Sequence, residues 1–297
     1  MYWNRLSDRL RERYGGKVYK LALSSGCSCP NRDGTIDTRG CTFCDGAGAF
    51  AAAGEISTQL AEAKRRVADK AGENPRYIAY FQSFTNTHGP VEWLRQLYLQ
   101  ALADPEVVIL SIATRPDCLG EEVMTLLREL NAIKPVWVEL GLQTIHSTTA
   151  ERIRRGYDLL VFDEAVAKLR DAGIEVIVHQ ILGLPGETVD MMAETAQYIG
   201  QSGAQGIKFH LLHVLKNTDL AADWQAGNVP VMELDDHISA LEACVCRIPR
   251  EMVIHRLTGD GAKRDLLAPL WSGDKKRVLN AIHAAFARDD VEQGSAL

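Results

Sequence analysis

Apolar and polar positions fall into two repeating patterns along this chain. Residues 3–14 (WNRLSDRLRERY) place apolar side chains at helical spacing among charges, which predicts a surface helix ended by Gly15-Gly16. The alternating run 17–24 (KVYKLALS) predicts a strand. Helical patterns at 55–71, 91–103, 119–131 and 188–202 then precede apolar runs at 77–83, 107–113, 136–141 and 206–213. Two shorter helical patterns, 148–154 and 161–172, precede the run 174–182. These runs are apolar on both faces, as strands of a parallel sheet covered by helices must be. Counting the first strand, six βα-type units result, and a weaker strand at 252–257 follows a helix at 234–247.

Repeated right-handed crossovers make either a barrel or an open doubly wound sheet. Polar residues gather where strands end: Gln82 and Ser83, Thr114 and Arg115, Glu139 and Gln143, Gly183 and Glu187, His210 and His213. Several strand ends contributing polar groups is the α/β-barrel arrangement. The expected fold is α/β, a partial (β/α)6 TIM-like barrel with a C-terminal extension. Residues 217–231 suggest the boundary, giving a core over 1–216 and an extension over 217–297.

Composition changes this picture little. The 297 residues are 46% apolar and 24% charged, normal for a globular protein. No stretch is long and apolar enough to span a bilayer, and residues 1–14 lack the apolar segment of a signal peptide. A cytoplasmic protein with no membrane partner is therefore expected. The net charge of −6 gives no support for a broad nucleic-acid-binding face.

The cysteines matter more. There are seven, an odd number that argues against a disulfide framework, and four lie between positions 27 and 44 as C-x-C-x11-C-x2-C. The surrounding loop, 26–54, is rich in Gly, Asn and Asp, and Gly40, Gly46 and Gly48 would let the backbone wrap a metal closely. A [4Fe–4S] cluster normally takes four thiolates, and three would leave one iron open for a ligand. An all-thiolate zinc site is the alternative. The Cys27-x-Cys29 spacing is awkward for zinc, but spacing alone leaves both open.

Cys29-Pro-Asn-Arg-Asp-Gly34 followed by Gly40-Cys-Thr-Phe-Cys44 resembles the cluster loop of a bacterial radical S-adenosylmethionine (SAM) family. That family is related to the catalytic subunit of Elongator and to oxygen-independent coproporphyrinogen oxidases. The resemblance extends through Tyr80-Phe-Gln82, Thr114-Arg-Pro-Asp-Cys118, Glu139-Leu-Gly-Leu-Gln-Thr144, Gly183-Leu-Pro-Gly-Glu187, Gly206-Ile-Lys-Phe-His210, Leu267-Ala-Pro-Leu-Trp271 and Gln293-Gly-Ser-Ala296. It implies a radical SAM barrel with one [4Fe–4S] cluster on Cys29, Cys41 and Cys44, and Cys27 as a bystander. The family has an aromatic residue at the position of Cys27, and its Arg-Gly-His stands here as Arg155-Gly156-Tyr157.

The resemblance also implies a SAM pocket. Phe43 would pack beside adenine, and Gln82, Thr85 and Asn86 would meet the methionine amine. Glu139 and Gln143 would reach SAM from the fourth strand, and Arg155 would pair with its carboxylate. Gly183 and Gly186 would let backbone approach adenine. A competing role for Gln143 is to cap the next helix, and Arg155 also reads as one charge of the run 152–155. His179, His210 and His213 lie on strands, where a lone histidine is more often a satisfied core residue. Reductive cleavage of SAM to a 5′-deoxyadenosyl radical is the implied activity, with flavodoxin or ferredoxin as electron donor. Kinship with Elongator, with basic runs at 64–66, 152–155, 263–264 and 275–277, points to a tRNA substrate, a wobble uridine. A small metabolite is the second reading, and a zinc-stabilised, non-catalytic binding module the third.

Overall fold

The computed structural model describes residues 2–46, 54–259 and 263–297. Gly48, one of the loop glycines singled out above, lies outside them. In chain order the core comprises α1 (Leu6–Tyr14), β1 (Val18–Leu23), α2 (Ile56–Ala71), β2 (Arg76–Phe81), α3 (Val91–Ala103) and β3 (Val107–Thr114). It continues with α4 (Glu121–Ile133), β4 (Val136–Gln143), α5 (Ser147–Arg152), α6 (Leu159–Asp171), β5 (Glu175–Leu182), α7 (Val189–Gln201) and β6 (Gly206–Leu211). Beyond it lie β7 (Val214–Leu215), α8 (Asp219–Gln225), α9 (Leu234–Cys246), β8 (Val253–Arg256), β9 (Leu266–Ala268) and α10 (Lys275–Arg288).

Seven strands form one parallel sheet in the order β1-β2-β3-β4-β5-β6-β8. The sheet is curled into a half barrel. The weak strand expected at 252–257 is thus a full member of the sheet, which runs one strand beyond the six-unit reading and draws that strand from residues past 216. Among the described residues β1 and β8 do not pair with each other, so the barrel stays open on that side. The N-terminal segment covers part of the gap. Arg5 bridges to Ile254, the amide of Ile254 donates to Asn4 O at 2.8 Å, and α1 packs on both β1 and β8.

Strand periodicity sorts side chains between two faces. Leu21, Leu23, Ala79, Phe81, Leu110, Val138, Leu140, Val176 and Val178 face outward into the main core beneath the helices. The concave face is apolar at the strands' N-terminal end, where Ile78, Ile109, Trp137 and Ile177 meet Leu10 of α1. Further along it turns polar. Lys20, Ser111, Glu139, His179 and Lys208 project from β1, β3, β4, β5 and β6 at one level. No helix among the described residues is long and apolar enough to cross a membrane.

Two terminal motifs receive structural explanations. The stretch 267–271 contributes β9, which pairs antiparallel with β7, and Trp271, whose indole donates to Met232 O at 3.1 Å. Neither β7 nor α8, nor the helix α10, was anticipated from the sequence pattern. Gln293, 3% exposed, ties the two chain ends to the sheet. Its Nε2 donates to Pro249 O (2.5 Å) and Met252 O (2.8 Å), and its Oε1 accepts from the Asn4 amide at 2.8 Å. Gln293→Ala strands three backbone groups, that of Met252 buried and those of Asn4 and Pro249 half-buried. At about 1 kcal/mol for each lost bond, it is expected to lower stability by roughly 2–4 kcal/mol in urea unfolding. Gln293→Met, which keeps length but not polarity, should show the same loss; a near-neutral result for both would remove the clamp from this account.

Candidate active site at the C-terminal ends of the strands

The loop after β1 is shaped by its own polar side chains. The amides of Arg32 and Asp33 donate to Cys29 O at 2.7 and 3.1 Å, closing a tight turn behind that cysteine. Asn31 is 1% exposed, and its Nδ2 donates to Arg154 O at 2.8 Å and lies 3.4 Å from Cys41 Sγ. The Arg32 guanidinium lies over Gly40 and Gly46 and donates to Cys44 O. A Cβ on Gly40 would stand 2.7 Å from Arg32 Nε, so the glycine is needed for that approach, and its φ of 77° suits it. Asp33 accepts from His88 at 2.7 Å, fastening the loop to the β2–α3 connection. The Pro-Asn-Arg-Asp-Gly signature therefore encodes the path of the loop.

This path brings Cys29, Cys41 and Cys44 to one cavity of about 230 Å3 at the C-terminal ends of the strands. Burial pushes the Cys41 thiol up to about 11. Cys27 is elsewhere. It is 6% exposed in the main core, its amide donating to Ser25 Oγ at 3.2 Å, beside Gly89. The donor set facing the cavity is thus three thiols. Among the described residues, no three Cys, His, Asp or Glu side chains converge tightly enough to ligate a single metal ion. A three-thiol set spread over one cavity fits a cubane cluster, whose ligands attach to different irons.

The other expected site residues divide into two groups. Phe43, Gln82, Thr85, Glu139, Gln143 and Arg155 all line the cavity. Phe43 also packs against the apolar cluster that contains Ile153 and Leu220. Gln143 does not cap a helix. It sits at a bulge ending β4 with φ 70°, its amide folded back over Gly141, where a Cβ would lie 2.8 Å away. Asn86, Gly183 and Gly186 stand behind or beside the wall. Asn86 is fully buried: it accepts from Ser25 Oγ at 2.6 Å and donates to Ala113 O at 2.7 Å and Phe81 O at 3.2 Å. Gly183 has φ 82°, and a Cβ there would meet Met232 Sδ at 2.8 Å. Its conformation and this contact already account for the glycine.

Arg155 is more engaged than a surface run implies. It donates to Leu142 O (3.2 Å), Thr144 O (2.6 Å) and Tyr157 O (2.9 and 3.1 Å). Arg115 likewise chelates Asp117 at 2.9 and 2.6 Å and donates to Arg155 O at 2.8 Å. The Tyr157 ring is held between the two guanidiniums, 4.4 and 5.2 Å from its centroid, and its hydroxyl donates to Gly141 O. Both arginines thus build the wall through backbone carbonyls. Phe84, Arg115, Tyr157 and His179 also line the cavity and were not among the expected contacts. Tyr157 replaces a family histidine, and His179 interrupts an apolar strand; both signals were present in the sequence. Phe84 left none.

At the cavity floor sits Glu139, with no exposed surface. Its Oε1 accepts from Ser111 Oγ (2.7 Å) and Lys20 Nζ (3.1 Å), and its Oε2 from His179 Nε2 (2.7 Å) and Lys208 Nζ. Burial opposes its ionisation, but the charges of Lys20 and Lys208 and the His179 bond outweigh it and hold the carboxyl well below its ordinary range. Burial and the Lys208 charge push His179 down to about 4, against the pull of Glu139. His210 packs against His179 with ring centroids 4.9 Å apart and planes tilted by 39°, whereas His213, past the end of β6, packs against Gly259. Cys118, in the turn after β3, does not line the cavity, and Cys244 and Cys246 lie on α9 with only Cys244 buried.

Comparison with known proteins agrees with this geometry. The Radical SAM superfamily model matches residues 36–199, and the Radical_SAM C-terminal domain model matches 204–288. The Bacillus subtilis (strain 168) protein YtqA is 45% identical over 98% of this chain and 92% of its own length. More distantly, the tRNA uridine(34) acetyltransferase of Methanocaldococcus jannaschii is 27% identical over 53% of this chain, which spans 29% of that protein. Among solved structures, the archaeal Methanocaldococcus infernus Elp3 superposes with a TM-score of 0.72 at 16% identity, covering 93% of this chain and 64% of that one. A family match over more than half the chain, and a relative alike from end to end, carry the conclusion that the cavity's three thiols suggested: this chain belongs to the radical SAM superfamily, the enzymes that use a [4Fe–4S] cluster and SAM.

Proposed function

We propose that Cys29, Cys41 and Cys44 hold the [4Fe–4S] cluster, that SAM occupies the 230 Å3 cavity beside it, and that the substrate is a wobble uridine of tRNA. The observation that carries the first two parts is the convergence of those three thiols, without Cys27, on one cavity at the strand ends. With cluster and SAM bound, the cluster would supply the electron for reductive cleavage of SAM, and SAM the hydrogen-abstracting group that acts on the substrate.

The chain's own residues supply binding, orientation and a dry cavity. Gln82 and Thr85 at the end of β2, with Gln143 at the end of β4, offer acceptors to the SAM amine. The Phe43 ring offers a flat apolar wall for adenine. Asn86 from behind the wall, and Arg115 and Arg155 within it, fix the loops that carry these groups. A low-potential electron donor such as flavodoxin or ferredoxin completes the system.

The RNA part rests on the distant likeness to the tRNA uridine(34) acetyltransferase and on the fold shared with Elp3. One observation favours a small metabolite instead. Three of the four basic runs have a member neutralised within the protein. Lys64 pairs with Asp104 and Glu106 at 2.6 Å each, Arg154 with Asp219 at 2.5 Å, and Arg264 with Asp265 at 3.1 Å.

Two measurements separate these parts. After anaerobic reconstitution, Cys29→Ala, Cys41→Ala and Cys44→Ala should each lose the iron and sulfide of the wild type and yield 5′-deoxyadenosine only at background. Cys27→Ala should keep both, since its thiol is packed in the core. Iron loss on removing Cys27 would reassign the ligands, and a colourless, zinc-loaded wild type would end the cluster reading. Second, tRNA transcripts with uridine at the wobble position should raise 5′-deoxyadenosine formation above the SAM-only rate, in a salt-sensitive way. Equal rates with transcripts carrying another wobble base, or none at all above SAM alone, would shift the substrate to the metabolite class.

A further inference from the structure

We infer that His179 presents a bare Nδ1 to the cavity as a hydrogen-bond acceptor for substrate, so that the substrate must carry an N–H or O–H donor near its reacting carbon. The inference rests on the proposal that this cavity is where SAM and substrate meet.

The tautomer follows from the partners of Glu139. Its four acceptor positions are filled by Ser111, Lys20, Lys208 and His179, two on each oxygen. An ionised carboxylate can only accept, so the 2.7 Å contact requires His179 Nε2 to carry the hydrogen. A neutral imidazole has one N–H, which leaves Nδ1 as a lone pair. Among the described residues nothing hydrogen-bonds that nitrogen, and it is not sealed in: the side chain is 15% exposed and lines the same cavity as the three thiols. The two lysines beside the ring cannot supply a donor there without breaking other contacts, since both are held on Glu139. His210, its ring tilted 39° from that of His179, makes no hydrogen bond to it.

The arrangement resembles the orientation of a metal-binding or catalytic histidine by a carboxylate, with Glu139 as the positioning residue and His179 as the group that touches substrate. A site that ends in a fixed acceptor discriminates against ligands lacking the matching donor, because the buried acceptor then goes unpaired. The imide N–H of a uracil ring meets the requirement. An ester or ketone without a polar hydrogen does not.

The test has one arm independent of the cluster and one that uses it. In full-length protein labelled with 15N at histidine, with His179→Gln to assign the signal, Nδ1 should resonate as a nitrogen without hydrogen and Nε2 as one with it. A protonated Nδ1 overturns the inference. In reconstituted protein, the increment in 5′-deoxyadenosine on adding uridine-34 tRNA is measured against each variant's own SAM-only rate. His179→Gln can still reach Glu139 but has no acceptor at the Nδ1 position, and its increment should fall about tenfold or more. His179→Asn places Oδ1 where Nδ1 was and should recover part of it. An unchanged increment in His179→Gln overturns the inference even if the tautomer is as expected. Absence of any 5′-deoxyadenosine from the wild type would instead sink the radical SAM assignment of the cavity. Absence of only the tRNA increment would sink the RNA substrate, and the tautomer would then decide.

Discussion

A carboxylate with no access to water holds the concave face together. Leaving Glu139 ionised and unpaired in the interior would cost several kcal/mol, so the groups that neutralise it cannot drift away from it. Those groups come from β1, β3, β5 and β6, while Glu139 itself is on β4, so one side chain cross-links five of the seven strands through their inward faces. In a sheet that does not close on itself, this substitutes for the missing strand pair as a constraint on curvature. It also divides the half barrel. Below it the concave face is packed with Ile78, Ile109, Ile177 and Leu10; above it lies the cavity with the thiols. Such a cluster contributes more to defining one arrangement than to net stability, since well-packed apolar side chains avoid the desolvation cost altogether.

The cysteine loop depends on a second, peripheral set of polar contacts. Asn31, Arg32, Arg115 and Arg155 between them engage the backbone carbonyls of Cys44, Arg154, Arg155, Leu142, Thr144 and Tyr157. Arginine suits this work because its planar fork can reach two carbonyls at once and keeps its charge when half buried. The result is that the thiols are placed by a frame of side chains bonded to backbone carbonyls, of which Arg115 and Arg155 also line the cavity.

How much of this was legible follows from where the signal lay. The six strands through β6 and their covering helices show in the sequence because each is a long, periodic apolar run, and observed ends differ from the expected ones by only a few residues. The cavity-facing cysteines were legible because local motif and loop path coincide: Pro-Asn-Arg-Asp-Gly is itself what bends the chain. The pairing β7–β9 was not, because a two-residue strand carries no period. Helix α8 spans seven residues, too few for a clear period, whereas α10 does carry a helical stripe, Val278, Ile282, Ala285 and Phe286, behind a charged first turn. For single side chains the limit is different. Asn86 and Arg155 are polar residues at the right strand ends, and nothing in the sequence tells whether such a group turns into the cavity or back onto a carbonyl. That choice is made by neighbours from other segments of the chain, such as Ser25 for Asn86 and Leu142 and Thr144 for Arg155.

The region beyond residue 216 is bound into the same logic. Asp219 pairs with Arg154, the Leu220 amide donates to Thr42 O at 3.0 Å, and Leu220 belongs to the apolar cluster against which Phe43 packs. Thr42 and Phe43 are the two residues between Cys41 and Cys44. On the other side, Met232 fills the space that a side chain at position 183 would need, and β8 completes the sheet beside β6. The extension therefore holds the Cys-x2-Cys turn from outside while the Glu139 cluster sets the floor from inside. Through the backbone bond to Thr42 and the ion pair to Arg154, whose Nε donates to Gly40 O at 2.8 Å, a disturbance in α8 reaches the loop that carries the thiols. The C-terminal region is in this sense part of the site, and its sequence constrains the site as directly as the cysteine motif does.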